Sequence, residues 1–342
     1  MIFEQVATGG CQSYLVGCEA SLSAVLIDGE ASQVDRYKAL IGKHGLHLRY
    51  VVDTHTHADH FSAAKLLGAD LGAKIVTHQD SPASYAQLRL DDGDSLAVGS
   101  LRLRALHTPG HTRDSMSLVM DDRVFTGDAL LIGGTGRSDL PTGDPDMLFD
   151  SLFGKLLKLP SETLVFPAHD YKGQGHSTIG HEIAENPRLQ KTERAEFVAM
   201  MRELNMAAPT HLTEALRTNI SGGKTVAQLL SEAAASVPFM ALSELQGRLA
   251  GRPNDLVVLD VREKDAFAAG RIPTARNLPR GQLELRVNEE FPDPTLRIVV
   301  CCEFGKISTL AAATLRELGF MRAAALDGGL KAWREGGMEM ES

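Results

Sequence analysis

The chain has 342 residues, enough for about two ordinary domains. Its 35 basic and 44 acidic side chains give a formal net charge of −9, and 43% of the residues are hydrophobic. This balance excludes a largely disordered chain and argues against a nucleic-acid or membrane-surface binder, which needs a basic face. In chain order, residues 14–17 and 23–28 read as paired strands, 33–44 as a helix and 48–53 as a buried strand ending in polar residues. Further strands are expected at 74–77, 101–107, 116–120, 124–126 and 163–167, with helices over 61–71 and 145–158. Strands clustered in this way suggest two sheets covered by helices more than one parallel sheet. Residues 186–225 are helical and charged, and 233–238 read as a linker. A strand–helix alternation then runs through 256–261, 264–269, 296–301, 308–318, 323–326 and 330–335, the pattern of an α/β domain with a parallel sheet. The expected domains are therefore 1–235 and 236–342.

Four cysteines, two of them adjacent at Cys301 and Cys302, are too few for a disulfide scaffold and fit a reducing compartment. Residues 1–8 lack the basic start and apolar run of a secretory signal, and no stretch is long and apolar enough to span a bilayer. A cytoplasmic protein is the expectation.

The first chemical cluster is His55-Thr-His57-Ala-Asp59-His60, just past the strand that ends at Asp53. A short loop at a strand end can aim several side chains at one point. Imidazoles and a carboxylate are ligands for zinc or non-haem iron. Three more candidates follow later strands: His111 in Thr-Pro-Gly-His, Asp128 in Thr-Gly-Asp and His169 in Pro-Ala-His. Each comes directly after an apolar run and a Pro or Gly turn, so one edge of the fold can gather them all.

These four motifs, in this order, resemble the metallo-β-lactamase superfamily over residues 1–235. That resemblance implies an αββα sandwich with its metal site at one sheet edge. The segments Gly133-Gly-Thr-Gly-Arg137-Ser-Asp139, Pro167-Ala-His-Asp-Tyr171-Lys172-Gly and Asn186-Pro-Arg188-Leu resemble the persulfide dioxygenases within it. Thr135 departs from members that have a cysteine there. The resemblance implies one Fe(II) per chain, held by His55, His111 and Asp128, with His57, Asp59, His60 and His169 hydrogen-bonding the ligands or water. It also implies glutathione persulfide as substrate, oxidised by O₂ to sulfite and glutathione, with Arg137, Tyr171, Lys172 and Arg188 as candidates to position it. The alternative is a dizinc glutathione-thioester hydrolase of the glyoxalase II type. There His57 and His169 would each complete one zinc site, with Asp59 and His60.

The second cluster, Val-Val-Cys301-Cys302-Glu303-Phe304-Gly305-Lys306-Ile307-Ser308, reads as a strand, a tight loop and a helix start. Backbone N–H groups and the positive end of a helix favour a thiolate at Cys302, whereas Cys301, the last strand residue, points into the core. Residues 236–342 resemble a rhodanese domain, through Leu259-Asp-Val-Arg262, Phe267-Ala-Ala-Gly-Arg271-Ile-Pro and Leu326-Asp-Gly-Gly329-Leu-Lys-Ala-Trp333. The resemblance implies that Cys302 carries sulfane sulfur as a persulfide, cradled by the loop Glu303–Ile307, while sulfur moves between glutathione persulfide, sulfite and thiosulfate. Glu303 and Ile307 stand where arginines are frequent, and Arg271 replaces a common histidine, leaving Lys306 as the loop cation. The whole chain resembles a persulfide dioxygenase–rhodanese fusion, with no nucleic-acid or membrane partner and with a homodimer permitted. A sensor module that uses Cys302 as a persulfide switch is the remaining alternative for the C-terminal half.

Overall fold

The computed structural model describes residues 1–204, 206–251 and 255–341. The chain divides into two compact units, Met1–Gly223 and Lys224 onward.

In the first unit, β1 (Ile2–Thr8), β2 (Cys11–Gly17), β3 (Ser23–Ile27), β4 (His47–Val52), β5 (Lys74–His78) and β6 (Leu88–Leu90) form one sheet in that order. The pairs β1–β2 and β2–β3 are antiparallel, and the rest are parallel. The next strands are β7 (Ser95–Val98), β8 (Leu101–His107), β9 (Met116–Val119) and β10 (Arg123–Gly127). A small hairpin of β11 (Leu130–Leu131) and β12 (Gly134–Thr135) follows, then β13 (Leu164–Pro167) and β14 (Ser177–Thr178). The second sheet runs β14-β13-β10-β9-β8-β7.

Period-two alternation decides the layers. Tyr14, Val16, Val25 and Ile27 meet Leu103, Met116, Leu118, Phe125 and Phe166 in one buried cluster between the sheets. The intervening Leu15, Ala24 and Leu26 pack instead against Tyr37, Ile41 and Leu67 of the helices Val34–Lys43 and Ala64–Leu71. On the far face, Val124 and Val165 pack against Leu148, Leu152, Ile179, Phe197 and Met201. The result is the expected helix–sheet–sheet–helix sandwich.

Two helices differ from expectation. The helix expected from residue 61 starts at Ala64, because Ser62 has turned to hydrogen-bond both carboxylate oxygens of Asp53, at 2.9 and 2.8 Å. The helix expected over 145–158 is regular only through Pro145–Phe149, where Asp144 caps it by accepting from Asp146 N at 2.8 Å. A π-turn over Asp150–Lys155 and a 3₁₀ turn over Leu156–Lys158 follow.

The second unit begins with the helix Val226–Ser236, so residues 233–236 are not the linker expected from their composition. Thr225 and Gln228 form a reciprocal cap, with Gln228 N donating to Thr225 Oγ1 at 3.1 Å and Thr225 N to Gln228 Oε1 at 2.9 Å. An alanine-rich run behind such a cap propagates as helix. The sheet comprises β15 (Phe239–Met240), β16 (Leu256–Asp260), β17 (Arg276–Asn277), β18 (Arg297–Cys301) and β19 (Ala324–Leu326) in the order β15-β19-β18-β16-β17. Every pair in it is parallel, as the alternation predicts.

Candidate metal centre and sulfur loop

The polar edge of the sandwich is organised from Asp28, at the end of β3. Thr54 donates its N–H to Asp28 Oδ1 at 2.7 Å and its hydroxyl to Oδ2 at 2.9 Å. With its proton committed, Thr54 Oγ1 can only accept from His55 Nδ1, 3.0 Å away. His55 therefore presents Nε2 as a lone pair, and that atom is buried without a hydrogen-bond partner. His111 is fixed in the same tautomer, because its Nδ1 donates to the Arg137 carbonyl at 2.7 Å. Asp128 Oδ2 lies 3.5 Å from His111 Nε2 and 3.9 Å from His55 Nε2. Two imidazole lone pairs and a carboxylate thus converge on one point.

Electrostatics support that state. Burial pushes His55 well below its ordinary pKa, so the ring is neutral. Burial works against the Asp128 carboxylate, but His169, which donates to it from Nδ1, holds it well below the usual carboxylate range. The donor set fits a divalent ion of the iron or zinc type, and the buried Nε2 of His55 has no other role in view. Close approach of the neighbouring loop requires Gly136, where a Cβ would lie 2.0 Å from the Asp128 carbonyl oxygen.

Asp128 Oδ1 is held at 2.7 Å by His169 Nδ1, whose Nε2 lies 2.8 Å from Asp59 Oδ2. Burial opposes protonation of His169, but Asp128 and then Asp59 raise its pKa well above the ordinary value, so it bridges the two carboxylates as a double donor. His60 Nδ1 lies 3.2 Å from Asp59 Oδ2, and Cys11 Sγ approaches His169 Nε2 at 3.5 Å. His57 packs its ring 4.2 Å from those of both His55 and His60, while its Nε2 lies 3.2 Å from Asp28 Oδ1.

A cleft of about 240 Å³ opens above His111, Asp128 and His169, and Arg137, Tyr171, Lys172 and Arg188 all line it. Tyr171, 73% exposed, stacks its ring on His169 with centroids 5.5 Å apart. Arg188 Nη1 donates to the Thr135 carbonyl at 2.7 Å and hydroxyl at 3.0 Å. Arg137 is already occupied: it grips Asp139 at 2.6 and 2.7 Å and the carbonyls of Met206 and Ala207 at 3.0 and 2.7 Å. Its guanidinium pins the loop that carries it.

In the second unit, Cys302 follows β18 and is 2% exposed. Ser308, in the first turn of the helix Lys306–Glu317, donates its N–H to Cys302 Sγ at 3.2 Å. The loop Glu303–Ile307 turns through Gly305 at φ +83°. Leu330 N–H donates to the Cys302 carbonyl and Lys331 N–H to that of Glu303, both at 2.9 Å. Phe304 and Ile307 are exposed at 66% and 51%. Cys301 lies in the core, where burial and then Asp260 push its thiol well up.

Residues 6–169 match the metallo-beta-lactamase superfamily, and residues 241–336 match the rhodanese-like domain. The mitochondrial persulfide dioxygenase ETHE1 of Homo sapiens is 40% identical over 214 residues, 62% of this chain and 84% of its own. The crystal structure of ETHE1 from Myxococcus xanthus superposes with a TM-score of 0.64 at 42% identity, over 66% of this chain and all of that one. The chain belongs to the persulfide dioxygenase family. A metallo-beta-lactamase from Staphylococcus aureus covers 95% of this chain and 98% of its own at TM-score 0.61, and at 22% identity that likeness concerns the fold alone. This member of the persulfide dioxygenase family is thus an enzyme with a metal-binding sandwich and a rhodanese-like domain. Among its described residues no helix is long and apolar enough to cross a membrane.

Three residues of this persulfide dioxygenase homologue escape a reading of the sequence. Asn219 donates to the carbonyls of His57 at 2.9 Å and His60 at 2.8 Å, and accepts from Ser62 N at 3.0 Å, clamping the histidine loop. Buried Glu182 accepts from Gly133 N at 2.9 Å and Asn186 Nδ2 at 2.8 Å, setting the cleft wall. Cys11 reaches the cluster from the first position of β2. No local motif marks any of them, since each acts across a long span of chain.

Proposed function

We propose that the first unit oxidises glutathione persulfide with O₂, and that the second moves sulfane sulfur through Cys302. The first reaction is GSSH + O₂ + H₂O → GSH + SO₃²⁻ + 2H⁺. The observation that carries this reading is the convergence of His55, His111 and Asp128 beneath a cleft lined by Tyr171, Lys172 and Arg188. These three donors would hold Fe(II), with the opposite face left for substrate, a pattern suited to iron oxygenases. When bound, iron supplies the redox chemistry that joins O₂ to the terminal sulfur.

The chain supplies the rest. Thr54 and the Arg137 carbonyl lock the two imidazoles, and His169, bonded to Asp128 Oδ1, leaves Oδ2 free to ligate. Lys172 and Arg188 would attract the glutathione carboxylates while Tyr171 covers the cleft. Arg137 acts through the loop it pins. In the second unit, Cys302–S⁻ + GSSH → Cys302–S–S⁻ + GSH loads sulfur, and transfer to sulfite gives thiosulfate; the reverse direction is equally balanced. All four cysteines are free, which suits a reducing compartment, and we place the reactions in the cytoplasm.

An oxygen-electrode assay with glutathione persulfide on iron-loaded protein tests the reading. Rapid O₂ uptake with sulfite formation is expected. Two zinc ions per chain with turnover of S-lactoylglutathione and no O₂ uptake would instead establish the thioester hydrolase.

A further inference from the structure

The charges around the sulfur loop are paired in a way that bears on which sulfur compounds the loop accepts. Glu303 directly follows Cys302, and its carboxylate takes up two arginines. Arg334 Nη2 is in contact with Glu303 Oε1, while Arg334 Nη1 and Arg262 Nη1 each lie 3.4 Å from Oε2. Arg262 is further held by buried Asp260, with Nη2 at 2.7 Å from Oδ2, and by the Gly270 carbonyl at 2.6 Å. Arg334 has no second carboxylate among the described contacts, so Glu303 alone neutralises it.

The pairing is built into the backbone. Arg334 belongs to the helix Gly329–Glu335, whose first N–H groups hold the carbonyls of Cys302 and Glu303. At Gly329 a Cβ would stand 2.5 Å from the Cys302 carbonyl oxygen and 2.7 Å from Gly305 N, so only glycine allows helix and loop to meet this closely. Loop and arginine therefore share one platform, and the Glu303–Arg334 pair forms without reordering. Lys306, exposed at the helix start, is the remaining cation of the loop.

We propose that Glu303 is a specificity-determining residue that acts as an internal competitor, occupying Arg334 so that small sulfur oxyanions are held weakly at the Cys302 loop. Thiosulfate must bring its sulfonate to the loop for Cys302–S⁻ + S–SO₃²⁻ → Cys302–S–S⁻ + SO₃²⁻, in which one S–S bond forms as another breaks. A persulfide of a larger thiol delivers its terminal sulfur with its carboxylates several bonds away, and needs no oxyanion site beside Cys302. This inference rests on the sulfur-transfer reading of Cys302.

The test compares the full-length wild type with Glu303→Gln, Arg334→Gln and the double variant, using thiosulfate and glutathione persulfide as separate donors. Glu303→Gln should raise the ratio of kcat/KM for thiosulfate to that for glutathione persulfide about fivefold, through a lower KM and with a steeper loss at high salt. The gain should vanish when Arg334 is also replaced. An unchanged ratio, or a gain that survives the loss of Arg334, overturns the proposal. Mass analysis of intact protein after each donor separates the two levels. Sulfur on Cys302 with an unmoved ratio removes only the role of Glu303, whereas no sulfur on Cys302 in any form removes the transfer reading and this inference with it.

Discussion

Single side chains at the metal centre are set by what holds their far ends. The lone pair of His55 exists because Thr54 has spent its proton on Asp28, and that of His111 because a carbonyl takes its other nitrogen. Asn219 works one step further out, through the carbonyls of His57 and His60. Asn219→Ala leaves these buried acceptors and Ser62 N unpaired, which costs about 1–3 kcal/mol of stability. Because the loop carries His55, metal affinity should fall by about 10–100-fold, with the cleft residues themselves untouched. Metal titration and thermal unfolding of purified protein check both; unchanged metal affinity would separate Asn219 from the site. Arg137 teaches the converse lesson. As a residue type it suits an anionic substrate, yet four hydrogen bonds commit it to its own loop.

At the scale of elements, each proposed metal donor stands where a strand stops, and tight turns fix how it leaves. Pro109-Gly110-His111 follows β8, and Gly110 has φ +133°. A Cβ there would lie 2.3 Å from Leu148 N and Cα, backbone that cannot give way without moving the Pro145–Phe149 helix. Gly110→Ala combines that clash with an unfavourable φ and should cost more than about 2 kcal/mol. It should also lower metal content, since His111 is the next residue. Denaturant unfolding and metal analysis give the answer, and a stable, fully loaded variant would refute the close-packing argument. The same helix end shows why pattern reading overran: residues 145–158 keep helical spacing, but Ser151 gives its hydroxyl to the Pro109 carbonyl at 2.6 Å beside the widened turn. That bond draws the widened segment onto the turn that delivers His111.

For the whole molecule, the two chemistries are built from separate sets of residues. The proposed metal donors His55, His111 and Asp128 lie within Met1–Gly223, and Cys302 with its loop lies in the second unit. Cys302→Ser should therefore abolish sulfur transfer while O₂ uptake with glutathione persulfide stays within about twofold. Removing the metal with a chelator should do the reverse, ending O₂ uptake while Cys302 still takes up sulfur. It should also lower Tm, since an ion bound at a hundred times its Kd stabilises the folded state by about 2.7 kcal/mol. Parallel loss of both activities in either experiment would contradict independent sites.

The sequence by itself determined the two-sheet sandwich, the parallel second sheet, the histidine and aspartate positions of the cluster and the adjacent-cysteine loop. Those features are written in local signals: period-two burial, strand ends followed by Gly or Pro, and a six-residue motif dense in ligand types. Residues 233–238 have the composition of a linker, yet the chain is helical through Ser236, because the capping pair Thr225–Gln228 outweighs that alanine- and serine-rich signal. Only the tertiary structure decided the rest. It turned His57 toward Asp28, committed Arg137 to its loop, brought Cys11, Glu182 and Asn219 to the cluster and cleft wall, and set Glu303 against Arg334. A buried polar group must find a partner wherever the packed chain supplies one, and that partner is as often far away in sequence as near.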